Sequence, residues 1–206
     1  MTNQIDIYNK YFVENGFERL GLFEEIRNQY SIQSALYLGS FVHITPALVF
    51  PKTAFIDSDR RVRKFFDSPE VKEFVHKNKQ YKEEPNIFAS QQNYEKPIAI
   101  EQESFDLLVS QYAGFVSQAG KKLLKPGGYL VANNSHGDAS MAFLDADYEF
   151  IGVANHSKGK WRISDKSLDD YFVPKKDKHP SEEEVRASMK GVGYTKVAAN
   201  YVFVKS

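Results

Sequence analysis

Apolar residues recur at three- and four-residue steps through residues 5–30, at Ile5, Tyr8, Tyr11 and Phe12 and again at Leu20, Leu22, Phe23 and Ile26. Asn15-Gly16 interrupts the series, so the pattern predicts two amphipathic helices joined by a turn. The period then changes. Ser34-Ala35-Leu36-Tyr37-Leu38 and Lys52-Thr53-Ala54-Phe55-Ile56 are short apolar runs of the length expected for strands buried on both faces. Between them Pro46 and Pro51 bracket a single helical turn at residues 47–50. Residues 60–79 carry Val62, Phe65, Phe66, Val71, Phe74 and Val75 at helical spacing, broken at Ser68-Pro69. A polar stretch, 80–96, holds one apolar island at Ile87-Phe88-Ala89.

Residues 105–133 give the clearest unit. Phe105 to Ser110 reads as a strand, 113–124 as a helix, Lys125-Pro126-Gly127-Gly128 as a turn that ends it, and 129–133 as a second strand. A strand, helix, strand run of this length is a right-handed parallel crossover. Beyond it, 148–153 and 160–163 flank His156-Ser157-Lys158-Gly159 as a hairpin. Ser181 with Glu184 is a capping box that opens a helix ending at Lys190-Gly191. Residues 194–197 and 201–205 close the chain as two short strands.

Composition narrows the chemistry. The 206 residues carry 27 Lys+Arg against 27 Asp+Glu, so no basic excess is available to grip a phosphate backbone or an anionic membrane. The absence of Cys excludes disulfides, thiolate metal sites and a cysteine nucleophile together. No apolar run reaches the roughly 20 residues of a membrane helix, and residues 1–10 lack the form of a secretory signal. A soluble, cytoplasmic, single-domain protein over 1–206 is expected. The five histidines have no ligand spacing, so no metal is expected. Ser40 follows a strand, but Leu38 and Val42 stand where a nucleophile elbow requires small residues.

Candidate chemistry is therefore positional. In an open α/β sheet, ligands sit beyond the carboxyl ends of the strands. Those ends are Gly39-Ser40, Asp57-Ser58, Ser90-Gln91, Ser110-Gln111-Tyr112 and Asn133-Asn134. A glycine after the first strand admits close backbone approach, and an acid after the second can accept a ribose diol. Together they point to a nucleoside-containing ligand.

The order of these pieces resembles the class I S-adenosylmethionine-dependent methyltransferases. Tyr37-Leu38-Gly39-Ser40-Phe41-Val42-His43 stands at that family's glycine-rich first motif, and Phe55-Ile56-Asp57-Ser58-Asp59 is similar to its second-strand acid motif. The runs 104–110 and 123–131 are similar to its fourth strand, helix and fifth strand. Tyr37 takes the position of an acid, Gly39 that of the first glycine, and Phe41 and His43 those of the other two. The resemblance covers roughly 34–206 and implies a doubly wound, three-layer Rossmann-like fold with a mostly parallel seven-stranded sheet whose last strand is antiparallel. Residues 1–33 would be a helical cap and 148–179 an inserted hairpin region.

The resemblance further implies S-adenosylmethionine as cofactor and a small-molecule substrate, with neither nucleic acid nor membrane as partner. It places Tyr37, Gly39, Ser40 and Phe41 at the methionine end, Asp57 at the ribose, and Ser90 and Gln91 at the adenine, with Ser58 also among the cofactor-binding residues. Ser110 and Gln111 would border the methyl group, with Tyr112, Asn134 and His136 toward the substrate. A non-catalytic binding module on the same fold is the alternative; a nucleic-acid methyltransferase is a further one.

Overall fold

The computed structural model describes residues 3–175, 178–190 and 192–206. The chain divides after Ile98 into two compact units.

In the first unit α1 (Gln4–Tyr8) starts at Asn3, whose side chain accepts from the Ile5 amide, and runs into a π-helical segment at Asn9–Val13. After the turn at Gly16, α2 (Leu20–Gln29) buries Leu22, Phe23 and Ile26. Then follow β1 (Ser34–Leu38), the single turn α3 (Pro46–Val49), β2 (Lys52–Asp57), α4 (Arg61–Asp67), α5 (Pro69–Asn78) and β3 (Asn86–Gln91). The break between α4 and α5 is set by Pro69, which forces Ser68 into extended backbone with ψ 131°. The three strands lie in the order β3-β2-β1, all parallel, with Leu38 beside Ile56 and Asp57 beside Gln91. Their carboxyl ends are thereby level, and the Gly39 and Gln92 amides donate to the Ile56 and Asp57 carbonyls to extend the ladder past the strands.

The second unit contains β4 (Phe105–Ser110), α6 (Val116–Gly120), β5 (Leu124–Ala132), α7 (Asp138–Leu144), β6 (Tyr148–Ser157), β7 (Lys160–Ser164), α8 (Glu182–Ser188) and β8 (Asn200–Lys205). Strand order is β4-β5-β8-β6-β7, the first pair parallel and the rest antiparallel. The mixed α/β, Rossmann-like class expected from the sequence holds, with parallel strands first and antiparallel strands at the C-terminal end. The capping box at Ser181 is formed. Gly191, expected to end α8, lies outside the described residues. No described helix is long and apolar enough to cross a membrane.

Three expectations are corrected. There are eight strands among the described residues, not seven, because the hairpin of β6 and β7 joins the sheet instead of decorating it. Residues 194–197 form no strand: Tyr194 makes one bridge, to Pro174, and β8 pairs with β5 on one edge and β6 on the other. A strand buried at Asn200, Tyr201, Val202 and Phe203 takes neighbours on both sides. The helix expected over 113–124 begins only at Val116 and gives way at Lys121 to a 3-10 turn, since Leu124 already pairs with Phe105.

Lys125-Pro126-Gly127-Gly128 is consequently a bulge inside the β4/β5 ladder. Leu124 and Tyr129 face Phe105 and Leu107, so four residues are looped out opposite Asp106, and Lys125 Nζ clamps the Asp106 carboxylate at 2.6 Å. Gly127 has φ +73°, and a Cβ on Gly128 would lie 2.8 Å from Leu124 Cδ1 and 2.9 Å from the Lys125 carbonyl oxygen. Gly128→Ala should therefore cost about 1–3 kcal/mol through steric overpacking. Gly127→Ala, with open space around it, should cost only the roughly 1–2 kcal/mol of a left-handed non-glycine residue. Denaturant melts of both variants check this; a neutral Gly128→Ala would show the bulge to be wrongly placed.

Candidate functional site

The first unit concentrates polar groups at the level ends of β1, β2 and β3. Asp57 closes β2 half-buried, and each of its oxygens accepts one backbone N–H: Phe41 donates to Oδ2 at 2.7 Å and Asp59 to Oδ1 at 2.8 Å. Phe41 is held by this bond at φ +46°, two residues after Gly39 at φ +69°. The turn after β1 is thus a tight left-handed one, tied to the acid of β2. Ser40 is buried and turns its hydroxyl onto the Phe41 carbonyl.

The side chains of this turn face two ways. The Phe41 ring lies 4.3 Å under the Arg61 guanidinium and meets the Tyr11 ring edge-on at 5.2 Å. Arg61 forks onto Asp59 at 2.9 and 2.7 Å, which holds the Asp59 carboxyl down to about 2. His43 points inward, fully buried, stacked on Phe12 with centroids 4.3 Å apart. Its Nε2 lies 2.8 Å from the Glu18 carbonyl, which can only accept, so Nε2 carries the proton and Nδ1 accepts from the Tyr37 hydroxyl at 3.0 Å. Burial lowers the imidazole to about 3, so His43 is neutral. Tyr37, expected toward the cofactor, spends its hydroxyl on this histidine.

On β3, Ser90 is half-buried and its hydroxyl lies 3.3 Å from Gln92 Oε1, while Gln91 and Ser58 are exposed. Sequence reasoning passed over Gln92. Its backbone donates to the Asp57 carbonyl, and its Nε2 is buried without a partner among the described residues. Strand-end position was the available signal, one residue further than it was applied.

In the second unit the residues expected near the methyl group are engaged internally. Ser110 donates to Asp138 Oδ2 at 2.5 Å. Asp138, 1% exposed at the start of α7, also receives the Ser117 amide on both oxygens at 3.1 Å and the Ser117 hydroxyl at 2.6 Å. Burial pushes its carboxyl up to about 6 against those hydrogen bonds. It ties the end of β4 to the first turns of α6 and α7, a role a lone Asp after Gly137 did not announce. Gln111 is buried and donates to Asn200 Oδ1 at 2.7 Å. Tyr112 is 54% exposed at φ +55°. Asn134 Oδ1 receives the Ser140 amide and hydroxyl at 3.0 Å, and the half-buried His136 has Nδ1 3.0 Å from the Ser135 hydroxyl.

No protein-family model matches the chain, and no curated protein does. Among solved structures it is similar to an S-adenosylmethionine-dependent methyltransferase, possible histamine N-methyltransferase, from Thermotoga maritima, at 13% identity over 98% of this chain and 96% of that one, TM-score 0.48. It is similar also to the N-methyltransferase NodS from Bradyrhizobium japonicum WM9, at 13% identity over 75% and 95%, TM-score 0.48. The YcgJ protein from Bacillus subtilis is 15% identical over 61% of this chain, TM-score 0.41, and the match spans only 54% of that protein. Likenesses at this level assign no activity.

His43 makes stability depend on pH with a definite sign. Its folded pKa lies near 3 against an ordinary 6.5, so its contribution is complete above pH 6.5 and is lost as pH falls toward 3. Asp138, raised from 3.8 to about 6, acts oppositely in part of that window, so the measurement must be a difference. The stability gap between the wild type and His43→Leu should be constant above pH 6.5 and shrink by about 1.4 kcal/mol per pH unit below it. Parallel pH–stability curves for the two proteins would show His43 to be accessible to protons in the fold.

Proposed function

We propose that the chain binds S-adenosylmethionine and transfers its methyl group to a small molecule. The observation that carries this reading is the end of β2: a half-buried Asp57 locked by the Phe41 and Asp59 amides, bonded through its carbonyl to Gln92, whose buried Nε2 has no partner among the described residues. A carboxylate offers about four acceptor positions, and the two amides take two. The remainder fit a ribose diol, and the Gln92 amide with Ser90 and Gln91 fits the polar edge of a base. Gly39 leaves the backbone open to close approach.

S-adenosylmethionine would bring a methyl group already activated on a sulfonium, so the protein's share is orientation, worth about 7–11 kcal/mol when geometry is well held. Recognition at the methionine end would rest on the backbone carbonyls of Ser40 and Phe41, because the Tyr37 hydroxyl is taken by His43 and the Phe41 amide by Asp57. Tyr112, Asn134 and His136 stay assigned to the acceptor by the sequence resemblance, and a small acceptor suits the balanced charge.

One observation favours a second reading, a binding module without catalysis. The positions where a methyltransferase carries its second and third glycines hold Phe41 and His43, and Tyr11 and Phe12 pack on them. Titration calorimetry with S-adenosylhomocysteine separates the two. The enzyme reading expects saturable heat, abolished in Asp57→Ala under conditions where circular dichroism shows the fold retained. No heat at millimolar ligand would leave the module.

A further inference from the structure

Two buried amides in the second unit are pinned by their oxygens and have donors left over. Asn133, just past β5, accepts the Ser135 amide at 3.2 Å and hydroxyl at 2.8 Å on Oδ1. Asn200, the first residue of β8, accepts Gln111 Nε2 on Oδ1 at 2.7 Å. The Ser135 N–H can only donate, which fixes the Asn133 oxygen, and Asn200 turns its oxygen toward Gln111 Nε2, so each NH2 group points away from its anchor. Asn133 Nδ2 and Asn200 Nδ2 are both buried with no partner among the described residues. The residues are 7% and 0% exposed.

The sheet brings the pair together. Ala132 pairs with Tyr201 across β5 and β8, and continuing that antiparallel register by one step sets Asn133 opposite Asn200. Facing residues of an antiparallel pair project from the same side of a sheet. The Gln111 bond to Asn200 places all three amides at the carboxyl end of β4 and β5, next to the exposed Tyr112. Each buried donor left unpaired costs about 1–3 kcal/mol, so two side by side mark a place where an acceptor belongs.

We propose that Asn133 and Asn200 form a donor pair that binds a carbonyl-type oxygen, of a carboxylate or a carboxamide, on the methyl acceptor. That the oxygen belongs to the methyl acceptor rests on the methyl-transfer reading; the donor pair itself does not. With their oxygens turned to these anchors, the amides present NH2 groups, so the subsite favours acceptor atoms over a protonated amine. Ser110, on the opposite face of β4 from Gln111 by strand alternation, leads to the Asp138 carboxylate and not to this pair.

The test uses the 15N-labelled full chain, following the Asn133 and Asn200 side-chain NH2 signals by NMR against benzoate, benzamide and benzylamine. Benzoate, benzamide or both should shift the two signals saturably, which also identifies the source of the oxygen, while benzylamine should not. Asn200→Leu and Asn133→Leu should each weaken the binding about tenfold, the loss of one buried hydrogen bond. The wild-type shifts decide the matter if a variant fails to fold. Unmoved signals with the NH2 groups bound to internal water only, equal response to benzylamine, or full binding by folded variants would each overturn the donor pair. Calorimetry with S-adenosylhomocysteine stands apart: heat there without probe binding sinks this inference alone, and probe binding without that heat sinks the methyl-transfer reading alone.

Discussion

The hydrogen bond from the Phe41 amide to the Asp57 carboxylate, 2.7 Å long, sets the course of the chain after β1. A non-glycine residue at φ +46° is strained by about 1–3 kcal/mol. An acceptor that carries full charge offsets part of that strain, because charge-assisted bonds are roughly twice as strong as neutral ones. The aromatic contacts of Phe41 with Arg61 and Tyr11 add to it. Once Phe41 is turned this way, His43 is aimed into the interior, where Phe12 stacks on it and Tyr37 and Glu18 satisfy both ring nitrogens. The helical segment before β1 is thereby seated on the turn after β1.

The turn after β1 keeps one glycine, Gly39, and carries Phe41 and His43 two and four residues further on. Space that hydrogen side chains would leave open is filled by rings from the same unit, and the backbone still presents Gly39 and the Asp57 carboxylate at the strand ends. Tyr37, near the end of β1, is a buried phenol whose hydroxyl is already committed to His43.

The second unit handles its strand ends by internal pairing. Ser110 with Asp138 and Gln111 with Asn200 bury side chains that a strand-end rule would aim at a ligand, and Ser140 holds the half-buried Asn134. A polar group under low dielectric is costly alone and favourable when satisfied, so such networks form wherever geometry permits. The two amide donors left over stand out against that background. Aromatic side chains complete the packing, with Phe172 stacked on Phe143 at 4.3 Å and set against Phe150, Tyr194 and Tyr201.

Local chemistry settled most of the elements from the sequence. Continuous apolar runs gave β1, β2 and β4, Pro69 split α4 from α5, Ser181 and Glu184 opened α8, and Asp57 stood at a strand end, because each depends on residues within a few positions of one another. Pairing partners were not legible in this way. That β8 lies between β5 and β6, that 125–128 is a bulge and not a helix stop, and that Phe41 is tied to Asp57 are decided by contacts between residues distant along the chain or by competition for the same backbone groups. Single-sequence periodicity reports whether a segment is buried, not which neighbour buries it. For that reason the sequence located the strand ends, and only the folded units determined which of their polar side chains remain free to meet a ligand.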